Sequence, residues 1–206
     1  MRFTISTLAL AAAATALPSQ HARTATCTST SKGFNLVAHV TDATSDLTPS
    51  VEGLFLSTAH TGAGLNAAVL SSANGRLFYQ NGTSPETSDI LTDGGTPPFP
   101  FSLQVQPAGE ARRILDISVG QGTVGSVNAQ GRLVNGLGEG AFLACRQVVP
   151  YYNQEFVTLQ FVYGKADPAT LKGCATIELV AKCAELNELP EGSLSSHEFA
   201  AEVKCE

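Results

Sequence analysis

The sequence predicts a mainly β protein, an antiparallel β-sandwich or barrel with a short disulfide-stapled segment at its C-terminus. Short runs of alternating apolar and polar residues recur roughly every ten residues, which is typical of half-buried strands in such folds. Glycine, asparagine, aspartate and proline cluster between these runs, as expected for turns. Four of the five cysteines lie in the last third of the 206-residue chain.

The N-terminus has the features of a secretory signal peptide. Arg2 precedes an apolar run over residues 3–16 that ends in the small residues Ala14-Thr15-Ala16. The run is too short to span a membrane. We expect cleavage after Ala16, with sites near Ala22 or Ala25 as alternatives, and therefore a soluble, extracellular mature protein.

The sequence divides into three parts on these grounds. Residues 1–16 are the predicted signal peptide, and residues 17–31 are a flexible lead-in rich in serine and threonine. Residues 32–206 form a single secreted β-domain, which is long enough to bury a sizeable core.

Alternation predicts four strands before residue 81. In the first, Phe34, Leu36, Ala38 and Val40 share one face. The turn His60-Thr61-Gly62-Ala63-Gly64 leads into the third strand, and Asn74-Gly75, a strong hairpin signal, joins the third strand to the fourth. The predicted strands cover residues 34–41, 51–57, 65–70 and 76–80.

Residues 89–101 form a stretch with two aspartates, two glycines, three prolines and two phenylalanines. Glycine and proline exclude a helix here, and proline cannot donate to the ladder of a central strand. We therefore predict a rigid extended connector between two runs of strands, anchored to the core by Phe99 and Phe101. A polyproline-like recognition edge that includes Asp93 is the alternative.

The rest of the chain continues the β pattern. Glycine-rich residues 120–140 predict two short strands linked by tight turns, and Asp167-Pro168 suggests one helical turn over residues 167–171. Residues 184–206 form a charged, helix-tolerant tail. The predicted strands cover residues 101–105, 115–119, 141–149, 157–163 and 177–183.

An odd number of cysteines in an exported protein suggests two disulfides and one unpaired thiol. We predict the pairs Cys145–Cys174 and Cys183–Cys205, each closing a loop that stabilises the fold by about 3 kcal/mol. The spacings leave other pairings open, and Cys27 remains unassigned. No Cys-x-x-Cys pair of the kind that binds zinc occurs.

Composition and motifs exclude several function classes. With 12 basic against 18 acidic residues and no basic block, the chain is not predicted to bind nucleic acid or an anionic membrane. It lacks a phosphate loop with its lysine, a dinucleotide-binding unit and a nucleophile elbow. We predict a monomer without metal or cofactor.

Four residues are candidates for ligand binding. Tyr151 and Tyr152 are adjacent in a chain without tryptophan, so they are the candidate platform for a sugar. On strand geometry one ring points inward and the other is exposed. His60 and Asp93 are candidates beside glycine-rich turns, with a purely structural role in a turn as the alternative.

Residues 81–83 read Asn81-Gly82-Thr83, which is an acceptor for N-linked glycosylation. The site falls at a predicted turn of a chain predicted to be exported. We therefore predict that Asn81 carries a glycan.

Six segments spread over residues 33–183 also match a pattern known from other proteins. They are GFNLVA (33–38), HTGAGLN (60–66), FYQNGT (78–83), TDGGTPPF (92–99), PYY (150–152) and GCATIEL (173–179). They resemble a family of small secreted proteins of filamentous fungi that has no assigned activity. The resemblance implies a secreted or wall-associated fungal protein and brings no catalytic residues.

The leading hypothesis is a non-enzymatic extracellular or cell-wall-associated binding or structural module. Cell-wall polysaccharide or a host protein is the expected partner. One alternative is a polysaccharide hydrolase that uses two carboxylates brought together by the fold, from Glu52, Glu110, Glu139 and Glu155. The other is an effector that binds a host protein through an exposed apolar patch.

Overall fold

The computed structural model describes residues 29–73, 75–82, 84, 86–105, 107–109, 112–165 and 171–206. The predicted signal peptide, Cys27 and all of the lead-in except Ser29–Ser31 lie outside these residues. So do Asn74 and every residue of the predicted helical turn except Leu171.

The described residues form fifteen strands and one short 3-10 turn, Ala43–Ser45, with no α-helix among them. They include no helix of the length and apolarity that crossing a membrane requires. The strands are β1 (Ser29–Ser31), β2 (Gly33–Val40), β3 (Phe55–Gly62), β4 (Leu65–Ser71), β5 (Phe78–Asn81), β6 (Asp89–Gly94), β7 (Phe99–Gln104), β8 (Asp116–Ser118), β9 (Gly125–Val127), β10 (Leu133–Asn135), β11 (Gly140–Val149), β12 (Gln154–Tyr163), β13 (Cys174–Ala184), β14 (Ala200–Ala201) and β15 (Val203–Cys205).

Nine strands close an antiparallel barrel, which confirms the predicted fold class. Pairing runs in the order β2–β5–β6–β7–β8–β4–β12–β11–β13 and returns to β2, while β3 lies between β2 and β4. Outside this circuit β1 pairs with β15, β9 pairs with β10, and β14 pairs with β5. Closure satisfies the backbone groups that an open sheet would leave unpaired at its edges.

One continuous apolar core fills the barrel. Phe34, Leu36 and Ala38 of β2 point into it, as do Leu159 and Phe161 of β12. These residues occupy every second position of their strands, so the alternation in the sequence correctly predicted which face is buried. The two short strands expected in the glycine-rich region also form, as the β9–β10 hairpin.

The stretch 89–101 is a β-hairpin, so the predicted extended connector is wrong. β6 and β7 pair directly, with Asp93 opposite Pro100 and Gly94 opposite Phe99. Pro97 and Pro98 lie in the turn between the strands, where no ladder donor is needed. Pro100 is tolerated because β8 pairs only with residues 102–104 of β7. Phe101 is buried in the core, as predicted.

The hairpin of the N-terminal half is β3–β4 and not β4–β5. β3 begins at Phe55, later than predicted, and turns at Ala63-Gly64 into β4. β4 pairs with β3, β8 and β12, whereas β5 pairs with β2, β6 and β14. The hairpin predicted at Asn74-Gly75 is therefore wrong, because the strands on either side of it do not pair with each other.

Both chain ends of the described domain contribute strands. Ser29–Ser31, predicted as flexible lead-in, forms β1 and pairs with Val203–Cys205. The tail over residues 184–206 contains β14 and β15 and no helix, so the expectation of a helix-tolerant tail is wrong. Backbone pairing with strands far away in sequence determines the conformation of both segments.

Both predicted cysteine pairs form disulfides. Cys145–Cys174 joins directly opposed residues of β11 and β13, with a Cα–Cα distance of 4.2 Å. Cys183–Cys205 joins β13 to the C-terminal strand β15, with a Cα–Cα distance of 5.1 Å. The second disulfide fastens the C-terminal segment to the barrel wall.

Candidate functional site

Three of the four predicted binding residues meet in one aromatic patch, which we define as His60, Tyr151, Tyr152 and Phe156. The ring centroids of Tyr151 and Tyr152 are 5.2 Å apart. His60 lies 6.0 Å from Tyr151, and Phe156 lies 5.3 Å from Tyr152. The four rings therefore form a continuous row in which each contacts the next.

Both tyrosines of the patch face solvent, which corrects the expectation that one would point inward. Tyr151 is 60% exposed and Tyr152 is 42% exposed. They lie in the turn that joins β11 to β12 and not in a strand, so strand alternation does not apply to them. Asn153 completes the turn with a positive φ of 49°, and its N–H donates to the carbonyl of Val149 at 3.0 Å.

The patch rests on a small apolar cluster that is separate from the main core. Phe156 packs against buried Ala59, Ala67, Val69 and Val149. Ala59 directly precedes His60, and Val149 ends the strand that leads into the tyrosine turn. This apolar cluster therefore fixes the positions of the strands and the turn that carry the four rings.

The fourth predicted residue, Asp93, lies in a different place. We call it, together with Arg76, Tyr79 and His197, the buried polar cluster. The Nε2 atom of His197 lies 2.7 Å from Oδ2 of Asp93, and the Tyr79 hydroxyl donates to Oδ1 at 3.2 Å. Arg76 donates from Nη2 to the Asp93 carbonyl at 2.7 Å. A carboxylate can only accept, so Nε2 of His197 carries a proton.

Burial and charge shape the electrostatics of this cluster. Burial raises the pKa of Tyr79, and the nearby charge of Asp93 raises it further. The phenol therefore stays protonated and acts as a donor. Burial lowers the pKa of Arg76, whereas the negative charge of Asp93 opposes that shift.

The buried polar cluster fastens the C-terminal tail. The rings of Tyr79 and His197 stack edge to face with centroids 4.7 Å apart. Asp93 is thus bonded on both carboxylate oxygens by groups of this protein. Such a network orders His197 against β5 and β6, and it leaves no free carboxylate oxygen for a ligand.

The carboxylates proposed for a hydrolase lie in different surroundings. Glu52 contacts His39 at 3.1 Å, and Glu155 contacts Arg146 at 3.5 Å. Glu139 lines a crevice between β10, β11 and β13. Glu110 is outside the described residues.

Asp42 and Asp46 accept hydrogen bonds in the loop that follows β2. Asp42 accepts from the backbone N–H and hydroxyl of Thr44, and these bonds lower its pKa. Asp46 accepts from the N–H groups of Leu47 and Val51. Among the residues that the structure describes, no three His, Cys, Asp or Glu side chains are grouped so that they could hold a metal ion.

Asn81, the predicted glycosylation site, is the last residue of β5. It is half-buried, and its backbone lies between Asp89 of β6 and Ala200 of β14. Thr83 of the acceptor triplet lies outside the described residues. Glycosylation at Asn81 stays a prediction.

Comparison with known proteins identifies the family. Residues 31–183 match the family described as a domain of unknown function, DUF7907. The chain is also 37% identical over 191 residues to the antigenic protein SchS34 of Stachybotrys chartarum, covering 86% of both proteins. No solved structure matches the chain. The protein belongs to the DUF7907 family, which agrees with the resemblance to fungal proteins without an assigned activity.

Proposed function

We propose that this member of the family is a non-catalytic extracellular module that binds cell-wall polysaccharide on the aromatic patch. One observation carries the proposal: Tyr151 and Tyr152 are adjacent, 60% and 42% exposed, and held in place by neighbouring rings.

Exposed, clustered aromatic rings favour a binding role over a structural one. An aromatic side chain stabilises a core or an interface most when it is buried. Large exposed apolar patches commonly mark interaction sites. Tyrosine also offers a large contact area at a small loss of side-chain entropy, since it has only two χ angles. The composition of the patch is therefore typical of a surface that binds a ligand.

Sugars suit this patch better than a purely apolar ligand does. The faces of an aromatic ring carry partial negative charge and attract the C–H groups on the flat side of a sugar. The phenol groups and the His60 ring provide hydrogen-bond partners for sugar hydroxyls. Apolar faces rimmed by polar groups are what a polysaccharide chain presents.

The angle between the rings limits how a sugar chain is held. The planes of Tyr151 and Tyr152 are inclined by 72°, so they cannot both lie flat against one sugar. Each tyrosine would contact a different sugar of a chain or of a fibre surface. Tyr151 is the more exposed of the two, and we expect it to contribute more to binding.

Three features support an extracellular setting. The sequence begins with a predicted signal peptide, and the two disulfides are of the kind that persists in oxidising compartments. The relative SchS34 is named an antigenic protein, which is compatible with export. Secretion itself is tested by recovering the mature protein from culture medium and sequencing its N-terminus.

The binding test uses purified mature protein with insoluble chitin and with insoluble β-glucan. We expect the protein to be depleted from solution on at least one of them, without release of soluble sugar. Tyr151→Ala should weaken binding about tenfold, as for a central contact residue, and Tyr152→Ala somewhat less. Phe199→Ala is the matched control, because Phe199 is 58% exposed but lies outside the patch.

Two outcomes would overturn the proposal. Release of soluble sugar would indicate a hydrolase and direct attention to Glu52, Glu139 and Glu155. No depletion on either polymer would leave a host protein as the expected partner of the patch.

A further inference from the structure

A second concave site, independent of the aromatic patch, lies in the barrel wall. A crevice of about 560 Å³ opens between β10, the loop that follows it and the first residues of β11, with β13 on its other side. None of the patch residues lines it. Its volume falls in the range of about 300–1,000 Å³ that small-molecule sites occupy.

The floor of the crevice is apolar and aromatic. Phe142 and Phe161 contact each other edge to face with centroids 4.9 Å apart, and Leu133 and Ile177 lie beside them. All four belong to the main core. Val134, which also lines the crevice, is exposed although its side chain is apolar.

Two glycines let the wall of the crevice lie close against neighbouring parts of the barrel. A Cβ atom on Gly140 would lie 2.2 Å from the Val162 carbonyl oxygen and 2.6 Å from the Phe161 ring. On Gly136 it would lie 2.6 Å from a methyl of Val124. Only glycine allows the backbone to pass this close, so the wall that Gly136 and Gly140 contribute to the crevice is fixed by backbone packing.

The charged groups of the crevice disfavour an anion. Arg132 is already paired with Glu178 at 2.7 Å. Among the described residues that line the crevice, Glu139 is the other charged one, and none of them is a lysine. The rim therefore carries a net negative charge, and a second anion in the crevice would be repelled.

We propose that the crevice binds a neutral, largely apolar small molecule with a hydrogen-bond donor at one end. The apolar body would cover the Phe142 and Phe161 rings, and the donor would face the carboxylate at the rim. This inference does not rest on the proposed polysaccharide binding, because the two sites share no residue.

Two fluorescent probes with the same ring system test both halves of the proposal. N-phenyl-1-naphthylamine is neutral and carries an N–H donor, whereas 8-anilino-1-naphthalenesulfonate adds an anionic group to the same skeleton. Titration of the folded protein should give saturable binding of the neutral probe at one site. The sulfonate should bind at least about tenfold more weakly.

Matched variants locate the bound probe. Ala141 lines the crevice, so Ala141→Trp should fill it and weaken binding of the neutral probe at least about tenfold. Leu194→Trp adds the same ring at an exposed position away from the crevice and should change the affinity less than twofold. Glu139→Lys, a surface change, should reduce the preference for the neutral probe.

Several results would overturn the proposal. These are no saturable binding of the neutral probe, equal affinity for the sulfonate, or an equal loss of affinity in Leu194→Trp. Loss of probe binding on combined substitution of Tyr151 and Tyr152 by alanine would place the probe on the aromatic patch instead. If that double variant still binds the neutral probe, the probe site is distinct from the aromatic patch, whatever the result with polysaccharide.

Discussion

The aromatic patch and the buried polar cluster use the same residue types in opposite ways. Each pairs tyrosine with histidine, and in each the rings meet edge to face. Tyr79 is 1% exposed and hydrogen-bonded to Asp93, whereas Tyr151 is largely exposed. Environment, and not residue identity, decides which tyrosine serves the fold and which is available to a ligand.

We predict that the stability of the fold depends on the buried polar cluster and that ligand binding depends on the aromatic patch. Removing a member of the buried polar cluster leaves its partners buried without their bonds, which is costly. Removing a ring of the patch leaves only a gap at the surface.

The largest expected effect comes from Asp93→Ala. It removes the acceptor for both Tyr79 and His197, so we expect the free energy of unfolding to fall by about 3 kcal/mol or more. Urea unfolding followed by circular dichroism measures this loss. His60→Ala in the patch should change stability by less than about 0.5 kcal/mol, and equal losses in the two variants would refute the distinction.

Tyr79→Phe should have a smaller effect. It deletes one hydrogen bond to a carboxylate and keeps the ring, so stability should decrease by about 1–2 kcal/mol. The matched change Tyr151→Phe should leave the unfolding free energy unchanged within error. The prediction fails if Tyr79→Phe is as stable as the wild type.

Stability should also fall at alkaline pH because of Tyr79. Its pKa is raised in the fold, chiefly by burial and then by the charge of Asp93, above the value of 10.0 for a free tyrosine. The folded state therefore keeps a proton that the unfolded state loses. Above about pH 10 this removes up to about 1.4 kcal/mol of stability per pH unit.

Comparing wild type with Tyr79→Phe isolates that contribution, because all other titrating groups are shared. Urea unfolding at about pH 9 and about pH 11 should show a steeper decline for the wild type. Parallel declines would show that folding does not raise the pKa of Tyr79, and would contradict this prediction.

The smallest expected effect is that of Tyr151→Ala on stability. Surface substitutions away from caps and buried networks usually stay within about 0.5 kcal/mol. Thermal unfolding should therefore give nearly the same midpoint as the wild type. A clear drop would mean that the Tyr151 ring supports the turn and is not simply available to a ligand.

The strands of the barrel were largely predictable because their burial alternates locally. The buried faces of β2, β12 and β13 could be read directly from the spacing of apolar residues. Both predicted cysteine pairs form, although their spacing left other pairings open. The β6–β7 hairpin does not follow from the sequence, because a high proline content disfavours strands. In the structure, two prolines lie in the turn and Pro100 lies where β8 does not pair.

The aromatic patch and the buried polar cluster also differ in how far the sequence predicts them. Tyr151-Tyr152 was visible as an adjacent pair, although its turn geometry was not. The Asp93–His197 contact spans 104 positions, and His197 lies in a tail that gave no local sign of structure. Contacts made by strand pairing across the barrel leave no trace in short-range patterns, so Arg76, Tyr79 and His197 could not be assigned from sequence.

The most direct test of the account measures binding to insoluble β-glucan and chitin for two tyrosine variants side by side. The double variant Tyr151→Ala/Tyr152→Ala should lose binding while keeping the unfolding free energy of the wild type. Tyr79→Phe should keep wild-type binding while losing stability. Wild-type binding by the double variant, or an equal loss of binding in Tyr79→Phe, would contradict the division of roles between the two regions.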